Sequence, residues 1–388
     1  MSVIFFEGFN HIDPFSPNFV LDVNNFELVG GSTGSSYTGN LFFDEGNTNN
    51  LKLKNIGTHS AKKVYLGFRA QSYSVSPAEP LKLVEIYDSA ASTIFSVEPQ
   101  TTYNSTIAPD MHLDIKNAAG TTLGTFRLLD AIATTGVNGS AGDPPYGPED
   151  GYSFFTNTPR VLEFEINLIA NTVAMRYEGQ NLLTITNSTT VPIPSTTGIS
   201  SLAFFSRGAS VWTSAPTGLQ DFYLIDDADG PANTWLGVDF SILPLSFDTA
   251  SPAYVAENWV DNYESSAVYA NNVMSLDNDL SYVNTASFPN HLLFNVQQIF
   301  PPQTLPVVGG LRLHAVARKV SKDSKYVHAY QNTSGGKYEL GPAVNLTSTA
   351  YSHATGFVDK NPETNAAWTV TQINSGFLFG IKSLDPSV

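Results

Sequence analysis

The 388-residue chain contains no cysteine. That removes disulfides, thiolate zinc sites and cysteine nucleophiles together. Charge is also scarce, at 14% of residues, where a quarter is usual. Basic residues are the rarer sign, 19 Lys and Arg against 35 Asp and Glu, for a formal net charge of −16. An anionic surface repels phosphate backbones, so nucleic acid is not an expected partner. No apolar run approaches the roughly 20 residues of a membrane-spanning helix, so membrane insertion is not expected either. The opening residues Met1 to Glu7 lack a basic n-region and their apolar run stops at Glu7. This argues against a secretion signal and for a soluble protein made in the cytosol. No fixed-period repeat or low-complexity tail is visible.

What the sequence does have is 42% hydrophobic residues, 29 Gly, 23 Pro and abundant Asn, Ser and Thr. This balance suits short strands joined by polar turns and does not suit long helices. The length exceeds what one core ordinarily serves, which predicts two domains. The stretch from Asp221 to Gly237 organises the division. Phe222 to Ile225 is a strand-like aromatic and β-branched run; Asp226, Asp227, Asp229, Gly230 and Pro231 then break it. Trp235 opens a second strand-like run that continues through Phe240. The expectation is all-β, two β-sandwich (jelly-roll) domains in series, residues 1–229 and 230–388, with little helix.

The clearest hairpin is 160–186. Leu162, Phe164, Ile166 and Leu168 alternate with Val161, Glu163, Glu165 and Asn167, the period-2 mark of a strand buried on one face. Val64 to Ala70 reads as a central strand, apolar at nearly every position. In the second half, 292–300 and 310–319 read as strands. Tyr326 to Asn332 pairs with Lys337 to Leu340 across Ser334-Gly335-Gly336, and Thr369 to Asn374 reads as one short helix.

Several residue groups carry candidate chemistry. Glu163 and Glu165 share a strand face, as paired carboxylates do in glycosidases. No third acid continues the row, so a solvated outer face is expected. Asp226, Asp227 and Asp229 present oxygens suited to Ca²⁺. They lack a distal bidentate Glu, and turn-forming Asps at a hinge are the competing account. Gly30-Gly31-Ser32-Thr33-Gly34 matches a nucleophile-elbow pattern without the required helix after it. His314 and His328 fall on strands expected to be neighbours. Trp212, Trp235, Trp259, Trp368 and Tyr223 are candidates for sugar stacking or for core and interface packing. No catalytic constellation assembles from these groups, and a non-enzymatic role is expected.

Residues 160–237 resemble the closing part of concanavalin A-like, LamG-type jelly rolls in tailed-bacteriophage virion proteins. The resemblance rests on the EFEI strand, the VAMRYEGQNLL return hairpin, the FYLIDD strand and the GPANTWLG hinge. LRLHAVARK, the ending from Asn361 to Lys382 and the opening IFFEGFN fit the same proteins. The resemblance implies a virion structural protein displayed on the particle exterior, tail-associated or decorating the capsid, and assembled in the bacterial cytoplasm. Its implied partners are other virion proteins and copies of itself, docked by symmetry. The alternative from the same fold is a carbohydrate-binding module or adhesin recognising host surface glycans.

Overall fold

The computed structural model describes residues 2–7, 26–29, 41–43, 50–53, 63–72, 82–104, 107–127, 160–167, 169–170, 172–186, 198–206, 217–227, 235–238, 240, 242, 247, 253–261, 283–296, 308–319, 323–347, 349, 352–358 and 360–387. These residues are nearly all in strands and turns, and the fold class is all-β. They form two compact units, one reaching Ile242 and the other beginning beyond it.

The first unit contains β1 (Ser2–Glu7), β2 (Phe26–Val29), β3 (Leu41–Phe43), β4 (Asn50–Leu53), β5 (Lys63–Ser72), β6 (Lys82–Asp88) and β7 (Thr93–Asn104). It continues with β8 (Ile107–Asn117), β9 (Thr122–Arg127), β10 (Arg160–Asn167), β11 (Thr172–Tyr177), β12 (Gln180–Thr186), β13 (Ile199–Ser206) and β14 (Thr217–Asp226). One antiparallel sheet runs β1-β14-β5-β10-β11-β12, with β3 also paired to β14; the other runs β2-β4-β13-β6-β7-β8-β9. The register makes the core. Leu224, Leu66, Phe164, Met175 and Leu183 line up across five strands, so one row of the first sheet is apolar throughout. Phe204 of the second sheet stands edge-on between Phe68 (5.5 Å) and Phe222 (5.0 Å) of the first, and the two sheets meet there. This is a β-sandwich, closed by the interleaved aromatic side chains of its inner faces.

The second unit contains β15 (Tyr254–Ala256), β16 (Val260–Asp261), β17 (Val283–Asn284), β18 (Asn290–Asn295), β19 (Leu311–Ala317), β20 (Ser324–Gln331), β21 (Lys337–Leu346), β22 (Ser352–Val358), α1 (Val370–Asn374) and β23 (Leu378–Leu384). A five-stranded antiparallel sheet runs β15-β18-β23-β20-β21, and β19 pairs with β22 as a separate ribbon. Leu311, Leu313 and Val358 of the ribbon pack on a buried cluster of Tyr330, Leu340, Trp368, Phe377 and Phe379. The five-residue helix starts at a capping box, in which Thr369 and Gln372 satisfy each other's backbone N–H groups. Among the described residues no helix is long and apolar enough to cross a membrane.

Two sequence expectations change here. The described residues from Trp235 to Ile242 (235–238, 240 and 242) are not in a strand, and they lie with the first unit. His314 and His328 are not on neighbouring strands, because β19 pairs with β22 while β20 pairs with β21 and β23. His314 is exposed, and His328 is buried against Gly356.

Candidate functional site

Among the described residues of the first unit, a polar cluster lies on the outer face of its first sheet. There the register aligns Tyr223, Gly67, Glu163, Arg176 and Asn181 in one row across β14, β5, β10, β11 and β12. Gly67 is what connects the row. Because it has no side chain, the Tyr223 ring lies across β5 and its hydroxyl donates to Glu163 Oε1. A Cβ on Gly67 would stand 2.1 Å from Tyr223 Cε1.

Over this row lie residues 235–238, 240 and 242, a strap held by side chains that grip its backbone. Gly237 N–H donates to Glu163 Oε1 at 2.8 Å, and Leu236 N–H donates to the Tyr223 hydroxyl at 3.3 Å. Gly237 has φ +78°, a left-handed conformation that glycine adopts without strain. One Arg69 Nη donates to the carbonyls of Val238 and Phe240, each at 2.7 Å, and Arg69 Nε pairs with Asp221 at 3.1 Å. Asp221 accepts the Ile242 N–H at 3.2 Å from a bulge in β14, with φ +40°. Two aromatic anchors flank these bonds. Trp235 meets Tyr65 edge-on at 5.7 Å with the Arg176 guanidinium 4.5 Å over its ring. Phe240 meets Tyr223 at 4.8 Å with Arg69 over its ring at 5.1 Å.

The electrostatics follow from this covering. Burial, and next to it the Glu163 charge, pushes the Tyr223 hydroxyl well above the ordinary phenol range. Tyr223 is therefore a fixed proton donor at any ordinary pH. Tyr65 is raised to about 12 by burial and by Glu165, which it also hydrogen-bonds. Burial raises the Asp221 carboxyl, against the opposing pull of the Ile242 N–H and Arg69.

The expected solvated face of Glu163 and Glu165 is thus corrected. The two do share a face, but Glu163 has no exposed surface, because the strap and Tyr223 cover it. Glu165 is partly exposed and bridges to Lys63 at 3.3 Å. The acids serve different partners, and a substrate would reach Glu163 only by displacing 235–242.

Asp226 is the last residue of β14 and buried; Asp227 follows, with its N–H donating to the Lys63 carbonyl at 3.1 Å. Asp229 lies outside the described residues, as do Gly30 to Gly34 and Trp212. Among the described residues no three His, Cys, Asp or Glu side chains come together as a metal site. Trp368 is core, and Trp259 packs beside Leu292 and Phe294 with Nε1 donating to the Asn290 carbonyl at 3.4 Å. Gly335 and Gly336 sit in the β20–β21 hairpin turn, closed onto Asn332.

Sequence reasoning missed Gly67, Arg69, Asp221 and Gly237. Only Gly67 carried a signal, since glycine inside a strand marks a close approach.

The outer face of the second sheet is a different surface. Lys52, Ala203, Glu85, Ser96, Lys116 and Thr122 form a row across it. Glu85 accepts from Thr93 (2.8 Å), Tyr87 (2.8 Å) and Lys82 (3.0 Å). Burial raises its carboxyl, but these donors outweigh burial and hold it below its ordinary value. Glu98 accepts from Lys116 at 2.6 Å and Ser96 at 3.1 Å, and Asp114 from Thr125 at 2.6 Å.

In the second unit, Glu257 accepts from the Lys337 ammonium and lies 2.7 Å from His291 Nδ1. Slight burial works against ionisation, but these partners hold the carboxyl down to about 2.

No protein-family model and no curated protein matches this chain. Solved structures do. A lectin from Bauhinia forficata in complex with GalNAc is similar over 58% of this chain and 98% of its own, at 11% identity and TM-score 0.36. The Emp47p carbohydrate recognition domain is similar over 56% of this chain and 94% of its own, at 10% identity and TM-score 0.35. A sialidase is similar over 58% of this chain, at 9% identity and TM-score 0.34; this chain spans only 19% of that protein.

Proposed function

We propose that this chain is a non-catalytic surface protein, an exterior component of a tailed-phage virion that docks on other virion proteins and on copies of itself. What supports the non-catalytic part is the use made of Glu163. Its Oε1 takes a peptide N–H and a phenol hydroxyl of its own chain, under a strap that leaves it no exposed surface. A general acid or base needs hydrogen-bond reach to a substrate proton, and Glu163 has no exposed surface from which to reach one. The virion placement is supported by the sequence resemblance at the hinge and the ending. Its test is fractionation of a producing culture on a density gradient. Co-banding with particles, with antibody labelling on their exterior, is the expected result. A chain found only in the free soluble fraction would overturn it.

A second reading, glycan binding, has its own observation. On the outer face of the second sheet, carboxylates at Glu85, Glu98 and Asp114 are oriented by cross-strand hydroxyls and a lysine, and Glu85 also accepts from the Tyr87 hydroxyl. Fixed acceptors next to an aromatic ring are the kind of surface that sugar hydroxyls engage. A glycan array probed with the full chain discriminates the readings. Binding that Glu85→Gln and Tyr87→Phe abolish favours the adhesin, and a blank array favours assembly contacts. Repeating a positive array in EDTA tests the Ca²⁺ proposal at Asp226, Asp227 and Asp229.

A further inference from the structure

We propose that the core of the second unit contains an internal water site, lined by the Tyr330 hydroxyl, the Asn361 side-chain amide and the Trp368 indole N–H. Tyr330 and Asn361 have no exposed surface, and Trp368 is 1% exposed. Among the described residues, the Tyr330 hydroxyl, Asn361 Nδ2 and Trp368 Nε1 are buried polar atoms that make no hydrogen bond to protein. Folding strips such groups of their solvent, so in native proteins the great majority are satisfied by protein or by ordered water.

The three come from distant positions and meet in one region. Tyr330 lies in β20, and its ring meets Trp368 edge-on at 5.8 Å within the cluster that also holds Phe377 and Phe379. Asn361 opens a turn that closes where its N–H donates to the Ala366 carbonyl at 2.8 Å, and Trp368 follows two residues on. The Tyr330 hydroxyl faces the Glu363 N–H, which Asn361 Oδ1 takes at 2.9 Å. That one N–H sets the Tyr330 oxygen and the Asn361 amide side by side. Asn361 Oδ1 is spent within the turn, and its NH2 group points away from that bond.

The donor set selects the ligand. Asn361 Nδ2 and Trp368 Nε1 only donate, whereas the Tyr330 hydroxyl also accepts. A water accepts two hydrogens and donates two, so it can take both N–H groups and return a hydrogen to the Tyr330 oxygen. A metal cation would meet two donors and a single oxygen, against the all-oxygen shell that hard cations require. An anion would face the Glu363 carboxylate. The charge of that carboxylate reaches Tyr330, whose hydroxyl is raised to about 12 by burial first, then by Tyr338 and Glu363. The site gives a role to Asn361 and Trp368, two residues of the chain's ending that neither functional reading uses.

The test uses the full chain, isotope-labelled at the indole nitrogens of its four tryptophans. Trp212→Phe, Trp235→Phe and Trp259→Phe, made singly, identify the Trp368 signal by elimination. A water-selective NOE experiment should then show a cross-peak at the Trp368 indole hydrogen, with the sign of a water held for longer than the molecule takes to tumble. The cross-peak should persist in Tyr330→Phe, which has no hydroxyl to relay magnetisation by proton exchange, and sodium bromide should leave the Trp368 signal in place. Should Tyr330→Phe fail to melt cooperatively, the pH dependence of the cross-peak in the natural chain replaces it, because a relayed peak follows the hydroxyl exchange rate and a direct one does not. Absence of the cross-peak overturns the proposal. So does its loss in folded Tyr330→Phe, or an intensity that follows hydroxyl exchange. A saturable shift of the Trp368 signal with bromide overturns it as well, since the ligand would then be an anion.

Discussion

Gly67 lies directly beneath the ring of Tyr223, and a Cβ there would come within 2.6 Å of the Tyr223 hydroxyl oxygen. The strand β5 thus gives up a side chain at its centre so that a tyrosine from β14 can reach a glutamate on β10. Gly67→Ala should therefore destabilise the first unit by about 1–3 kcal/mol, as overpacking does. Urea melts of Gly67→Ala, Tyr223→Ala and the double variant check this. The alanine at 67 should cost far less once the Tyr223 ring is gone, since the two changes share one contact.

Glu163→Ala and Glu163→Gln should separate. The alanine leaves the Tyr223 hydroxyl and the Gly237 N–H without their acceptor, a loss on the order of 1–3 kcal/mol. Glutamine keeps an acceptor oxygen in the same place and should retain most of the stability. Equal losses in chemical denaturation would show that the carboxylate's shape is irrelevant to the strap.

Arg69 holds two strap carbonyls, Asp221 and the Phe240 ring. Arg69→Ala should loosen the strap by about 2 kcal/mol, in the range of hydrogen bonds to charged groups. Chymotrypsin, which cuts after Trp, Leu and Phe, should then cleave within 235–240 at least tenfold faster. Arg69→Lys should restore only part of the protection, because an ammonium lacks the planar fork that spans carbonyls and carboxylate together.

In the second unit, Glu257 has a folded-state value of about 2 against an ordinary 4.5. A depressed carboxyl contributes stability that is fully present above its unfolded value and lost as pH falls through the folded one. The second unit should therefore weaken between about pH 4.5 and pH 2, and Glu257→Gln should flatten that limb. Melting temperature against pH for both chains tests this. Glu257 is more than a third exposed, so solvent and salt screen the pair, and 1 M NaCl should shrink the difference.

How much of this is legible in the sequence depends on distance along the chain. The alternation of Leu162, Phe164 and Ile166 with Glu163 and Glu165 gives the strand and its two faces. The capped helix and the β20–β21 hairpin are likewise local, set by Thr369 with Gln372 and by Gly335. What alternation does not say is whether a face is covered. The cover on Glu163 comes from Gly237, 74 positions away, and lacks any strand period of its own. Trp235 to Phe240 reads as strand-like, but only Trp235 and Phe240 pack on the sheet, against Tyr65 and Tyr223, while Leu236 and Val238 stay exposed; two aromatic anchors leave the same letters as a strand. The pairing of β19 with β22 skips two intervening strands, and for that reason His314 and His328 separate. The site row itself needs the register of five strands, which no single segment encodes.

The account stands on the sealing of the first sheet's outer face by its own chain, and amide hydrogen exchange at Gly237 reads that directly. The Gly237 N–H, donating to buried Glu163, should exchange at least a hundredfold more slowly than an unstructured peptide, and Glu163→Ala should remove that protection. Exchange of Gly237 at the free-peptide rate in the natural chain would contradict it, leaving Glu163 open to solvent and to substrate.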